Sequence, residues 1–170
     1  MAKARGAITL LAALLALIPA PAAPAAERQI IGHVEDVRVV AGDVTFKARI
    51  DSGAETSSLD VGDVVAFQRD GKPWVRFTAV NDAGRSLTLE RPIVRTADVR
   101  RSGTATQRRY VVVIGLCLGR VFADAEVNLA DRAGMTYRML IGRRFLADRF
   151  LIDVAAADLT TPECPEAAAK

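Results

Sequence analysis

Ala48-Arg49-Ile50-Asp51-Ser52-Gly53-Ala54-Glu55-Thr56-Ser57 is the stretch on which the reading of this chain turns. Apolar and polar residues alternate from Val44 to Ile50, the period of a half-buried β-strand. That strand delivers one aspartate, Asp51, into a turn of small residues. Peptide hydrolysis can be run by two carboxylates close enough to share a proton, because like charges at that distance cannot both ionise. The ionised one activates a water as general base, and its protonated partner polarises the carbonyl. Ser52 can fix such a pair by hydrogen bonds, and Gly53, lacking a side chain, lets backbone and substrate approach closely. Alone, Asp-Ser-Gly is also an ordinary turn sequence. A second element gives it weight: Met139-Leu140-Ile141-Gly142-Arg143-Arg144-Phe145-Leu146 reads as an apolar strand, a Gly-Arg pair and a short helix.

Outward from these segments the pattern is short β runs with turn punctuation. Gln29 to Val40 is rich in Ile and Val, and Ala41-Gly42-Asp43 signals a hairpin into Val44 to Ile50. Val64 to Gln68 and Trp74 to Val80 flank a second hairpin at Arg69-Asp70-Gly71-Lys72. Leu87 to Thr96 and Tyr110 to Leu118 are the longest runs, and Val121 to Leu129 alternates. The one convincing helix is short, around Arg143 to Arg149, before a last strand at Phe150 to Val154. The reading is all-β with one late helical turn.

The ends read differently. Lys3 and Arg5 precede an apolar run, Ala7 to Ile18, and then Pro19, Pro21 and Pro24 among alanines. This is the layout of a secretory signal peptide over residues 1–25. The run is short of the roughly 20 residues that span a bilayer. The expected product is periplasmic or secreted, with no stable membrane anchor after cleavage; an uncleaved N-terminal anchor is the alternative. Losing Lys3 and Arg5 takes the net charge from +3 to +1, which makes no electrostatic case for nucleic acid. The mature chain suits one domain, residues 27–155, and residues 156–170 read as a flexible tail. Arg91, Arg95, Arg100, Arg101, Arg108 and Arg109 bunch mid-chain, as a solvated strand face or as a groove for an acidic substrate. Cys117 falls in an apolar strand and Cys164 in the tail; an oxidising compartment permits a bridge, and two separate thiols fit equally.

Most other chemistries lack residues. His33 is the only histidine and sits in an alternating β segment, where a half-buried strand role is expected. There is no HExxH or CxxC for zinc, no phosphate loop and no dinucleotide fingerprint. No metal and no cofactor are expected.

Asp51-Ser52-Gly53-Ala54 followed by Leu140-Ile141-Gly142-Arg143 resembles the two signature segments of retroviral-type proteases. The chain is closer still to the bacterial retropepsin-like aspartic peptidases, often labelled ATP-dependent zinc proteases. The similarity runs through Lys47 to Leu59, Glu90-Arg91-Pro92, Leu116-Cys117-Leu118-Gly119, Val127 to Arg132 and Met139 to Leu146. Asp60 stands where many members carry histidine, so the zinc label finds no ligands, and no nucleotide motif supports ATP dependence.

The resemblance implies a retropepsin-like closed β barrel with one short C-terminal helix. It implies Asp51 as catalytic residue, with Ser52, Gly53, Ala54, Glu55, Gly142 and Arg143 supporting the active site. Only one Asp-Ser-Gly occurs, so the second aspartate is expected from a twofold homodimer, Asp51 against Asp51 of the other copy. The family pattern also pairs an acidic residue after the loop with the Gly-Arg arginine, here Glu55 with Arg143. A substrate-binding flap is expected at Thr96 to Tyr110, tipped at Ser102-Gly103-Thr104, ahead of the Arg69 to Lys72 hairpin. The expected function is an exported endopeptidase acting on protein or peptide. The alternative is a non-catalytic binding or scaffold protein on the same fold in the periplasm.

Overall fold

The computed structural model describes residues 27–99 and 107–164. The expected signal peptide at 1–25 lies outside them. Twelve strands, a 3-10 turn at Val40–Gly42 after the second strand, and one α-helical turn make up the regular structure of the described residues. The first seven strands are β1 (Gln29–Gly32), β2 (Val34–Val39), β3 (Val44–Asp51), β4 (Ser57–Asp60), β5 (Gly62–Arg69), β6 (Lys72–Val80) and β7 (Ser86–Pro92). Then come β8 (Arg95–Val99), β9 (Gln107–Leu118), β10 (Val121–Ala130), β11 (Met139–Gly142), α1 (Arg143–Leu146) and β12 (Phe150–Asp153).

Six of these strands close a mixed barrel in the order β10-β4-β11-β3-β2-β9, sealed by the antiparallel pairing of β9 with β10. The alternation in the sequence selects what points inward: along β3, Val44, Phe46, Ala48 and Ile50 are buried. They meet Leu59, Ile114, Leu116, Val127, Met139 and Ile141 in one continuous core. Each large side chain buried this way contributes about 1.5–3 kcal/mol. β5, β6 and β7 form a separate three-stranded antiparallel sheet, which packs Val75, Phe77, Ala79, Leu87 and Leu89 against the same core.

Tyr110 to Leu118 is continuous within β9, but two other sequence runs are broken. Leu87 to Thr96 splits into β7 and β8, which belong to different sheets. Pro92 has no N–H to extend a ladder, and just beyond it Ile93 donates to Pro73 while Val94 donates to Val111, so the chain changes partners there. Gln29 to Val40 breaks at His33, which is exposed in a bend and not half-buried in a strand. Its backbone N–H donates to the Ala156 carbonyl at 2.8 Å, and its ring Nδ1 lies 2.7 Å from the same oxygen. The helix is a single turn, shorter than the pattern from Arg143 to Arg149 indicates, because Ala147 is extended and Asp148 turns left-handed at φ 63°.

The described part of the stretch read as a loose tail is instead strapped down. Asp158 donates its N–H to Val34, and Glu163 donates to Gly119. Lys47 sits between Asp36 and Asp158 at 2.8 Å from each, and these two carboxylates, Asp158 foremost, raise its ammonium above its ordinary range. Glu35 is fully buried, and its carboxylate accepts from the N–H groups of Gly32, Leu159 and Thr160 and from the Thr160 hydroxyl. Such charge-assisted bonds satisfy a buried carboxylate without a cation. Cys117 and Cys164 form a disulfide, which resolves the open question of their pairing. Closing a loop of 47 residues should stabilise the fold by about 3–4 kcal/mol. The expected outcome is that Cys117→Ala/Cys164→Ser unfolds at lower denaturant than the oxidised parent, and that reductant erases the difference.

Candidate active site

Asp51 is the last residue of β3, and its Cα registers beside Gly142 at the end of parallel β11. The chain then turns through Ser52 to Thr56 before β4 begins at Ser57. The turn grips the aspartate: Oδ1 accepts from the Gly53 N–H at 3.1 Å and the Ala54 N–H at 3.2 Å. Oδ2 has no hydrogen-bond partner among the described residues. One carboxylate oxygen is therefore fixed, while the other stays available for a water or a second acid. Ser52 and Gly53 are exposed beside it.

The strand and helical turn behind the loop hold it in place. Gly142 donates to Ser57 Oγ at 3.1 Å, Arg143 to the Ala54 carbonyl at 2.8 Å and Arg144 to the Glu55 carbonyl at 3.1 Å. The first N–H groups of a helix have no partner within it, so here they clamp the loop. Position 142 has no room for more than glycine: a Cβ would lie 2.7 Å from the Thr56 carbonyl carbon and 2.9 Å from its oxygen.

The expected pair of Glu55 with Arg143 is corrected. Glu55 Oε1 is bound by Arg144 Nη2 at 2.6 Å, whereas Arg143 Nη1 donates to the Gly53 carbonyl at 3.0 Å. Both arginines thus tie the helical turn to the loop, one through a carboxylate and one through the backbone. Ser57 and Arg144 were missed by the sequence reading. Both lie in the two quoted segments, and either of the adjacent arginines suits the salt bridge on sequence alone.

β8 and β9 form an antiparallel hairpin, Arg95 opposite Val111 and Val99 opposite Gln107. Its expected tip, Ser102, Gly103 and Thr104, lies outside the described residues. A cavity of about 620 Å³ lies between its first arm and the loop that carries Asp51. Glu55 and Thr56 line one side, Arg95 and Asp98 the other, with Arg109 and Arg132 also in the lining. Ser58 lines the same space, and its buried hydroxyl has no hydrogen-bond partner among the described residues. The Arg69 to Lys72 hairpin belongs instead to the outer three-stranded sheet. Among the described residues, no group of three or more His, Cys, Asp or Glu is placed to hold a metal ion.

Residues 30–163 match the family model described as RimB-like, retropepsin-like aspartic endopeptidase RimB. The chain belongs to this family. Among curated proteins, this RimB-like chain is similar to one named "Probable alpha-L-glutamate ligase" from Parasynechococcus marenigrum, 40% identical over 111 residues. That alignment covers 64% of this chain and 24% of the relative. A protein of the same name from Desulfotalea psychrophila is 36% identical over 113 residues, covering 65% of this chain and 24% of its own. The RimB-like chain therefore spans about a quarter of the length of these relatives. Among solved structures, the Legionella pneumophila protein Lpg0085, of unknown function (DUF785), superposes with a TM-score of 0.70 at 26% identity. The match covers 79% of this chain and all of that one.

Proposed function

We propose that this chain is an exported aspartic endopeptidase that works as a twofold homodimer, with Asp51 of each protomer forming the catalytic dyad. The observation that carries the reading is the state of Asp51. Its Oδ1 is fixed by two loop N–H groups, and its Oδ2 is left open in a loop whose next two residues are exposed. A single such carboxylate is half of the shared-proton machinery, and a second copy of the same loop completes it. In that pair, one carboxylate takes a proton from the attacking water while the other donates to the carbonyl oxygen. The acid that took the water's proton then gives it to the amide nitrogen, and the C–N bond breaks. The other carboxylate takes a proton from a hydroxyl of the tetrahedral intermediate, leaving a carboxylic acid and an amine.

Other features support the parts of this reading. Ile30, Leu151 and Val154 are 58%, 51% and 80% exposed on or beside the β1–β12 ribbon, apolar surface of the kind partners cover. The Cys117–Cys164 bond favours an oxidising compartment, and so supports export to the periplasm or beyond. Arg95, Arg109 and Arg132 line the cavity beside the loop, and the curated relatives carry a glutamate ligase name. Together these favour peptides with acidic side chains as substrates.

The test is digestion of a mixed peptide library by the mature protein, with and without a statine-type inhibitor. The expected result is inhibitor-sensitive cleavage, enriched for Glu or Asp near the scissile bond. Because the dyad needs one proton, cleavage should peak at mildly acidic pH and fall as both acids ionise. A flat profile between about pH 5 and pH 9 contradicts a shared-proton dyad. No cleavage by a folded dimer at any pH sinks the enzyme reading and leaves a binding protein on the same fold.

A further inference from the structure

Four charged side chains from four different segments meet beside the catalytic loop. Glu126 on β10 is their hub, and a single oxygen, Oε2, serves two arginines. It accepts from Arg95 Nε at 3.1 Å and Nη2 at 2.7 Å, and from Arg144 Nη1 at 3.0 Å. Each arginine then reaches onward into the loop that carries Asp51. Arg95 Nη2 also donates to Thr56 Oγ1 at 3.2 Å, and Arg144 Nη2 to Glu55 Oε1 at 2.6 Å.

We propose that Glu126 is a positioning residue that locks the first arm of the β8–β9 hairpin to the catalytic loop. Its kinetic consequence rests on the peptidase reading; the mechanical coupling does not. Arg95 opens β8, and β8 is the outermost strand of its sheet, paired only with β9 among the described residues. Its outer edge is therefore held by side chains, and Arg95 reaches from it to the loop. Two guanidinium groups sharing one acceptor repel each other, so the arrangement needs the full negative charge at Glu126. The carboxylate is about a quarter exposed, with its side chain at 28%, which shields it from solvent more than an ordinary surface ion pair. Without that charge, Arg95 loses the partner that orients it towards Thr56, and Arg144 loses the one that orients it towards Glu55. Glu126 makes no hydrogen bond to Asp51 and acts through Arg95 and Arg144.

The experiment compares the full chain with Glu126→Gln, Arg95→Gln and the double variant, by amide hydrogen exchange and by steady-state cleavage. Exchange in residues 53–57 and 95–99 should accelerate together in Glu126→Gln, by on the order of tenfold, while the barrel core stays protected. KM should rise by more than kcat falls, and the double variant should be no worse than the worse single one, since both cut the same linkage. Arg95→Gln, a change at a half-buried residue of an edge strand outside the core, must by itself speed exchange in the 53–57 loop, which keeps the test open if Glu126→Gln folds poorly. Acceleration confined to one segment, or additive losses in the double variant, overturns the coupling. A wild type that cleaves nothing counts against the peptidase reading instead, and the exchange measurement still decides the coupling.

Discussion

Asp51→Asn should yield a folded protein whose cleavage rate is lower by about 10³-fold or more. Asparagine keeps an oxygen that can accept from the Gly53 and Ala54 N–H groups, so the loop should hold its shape. What is lost is the ability to take and give the proton. Unfolding stability should therefore move by no more than about 0.5 kcal/mol, because both loop hydrogen bonds and the side-chain volume are kept. Denaturant unfolding beside the cleavage assay separates the two effects. A variant that cleaves at the parental rate would remove Asp51 from the chemistry.

Gly142→Ala should have the second largest effect, and for a different reason. A Cβ at this position would lie 2.7 Å and 2.9 Å from the backbone carbon and oxygen of Thr56, and 3.0 Å from the carbonyl carbon of Glu55. Backbone cannot yield as the tip of a flexible side chain can, so β11 and the loop must part. Overpacking of this kind costs about 1–3 kcal/mol. The same shift weakens the N–H donations from Gly142, Arg143 and Arg144 that hold the loop. A misplacement near 1 Å at a reacting group costs about 10²-fold in rate, so activity should fall by more than stability alone explains. Thermal unfolding and kcat measured on the same preparation check this; parental values of both would show that the loop does not depend on a bare Cα at 142.

The elements legible in the sequence were those whose signals are local. The alternation of β3 predicted its inward face, and the structure registers Asp51 beside Gly142, joining two short segments that each stood out in the sequence. The barrel's closure was not local: it depends on β9 pairing with β10 along one edge and with β2 along the other. Period-2 patterning also cannot show where a run changes sheets, which is why Leu87 to Thr96 read as one strand. Pro92 was the available signal. Glu35 gave no warning at all, since a glutamate next to Asp36 looks like a solvent-facing residue. Besides the nearby Gly32 N–H, its carboxylate is satisfied by Leu159 and Thr160, more than a hundred residues along the chain. The choice between Arg143 and Arg144 as partner of Glu55 turns on side-chain direction within one helical turn, which adjacent identical residues conceal.

Subunit mixing tests the central claim most directly. Wild-type and Asp51→Asn protomers are mixed in known ratios, allowed to exchange, and assayed for cleavage near pH 5. If each active site takes one Asp51 from each of two chains, activity follows the square of the wild-type fraction, so an equal mixture retains about a quarter. A linear decline, with about half the activity left in the equal mixture, would mean that each chain carries a complete site and would contradict the shared dyad.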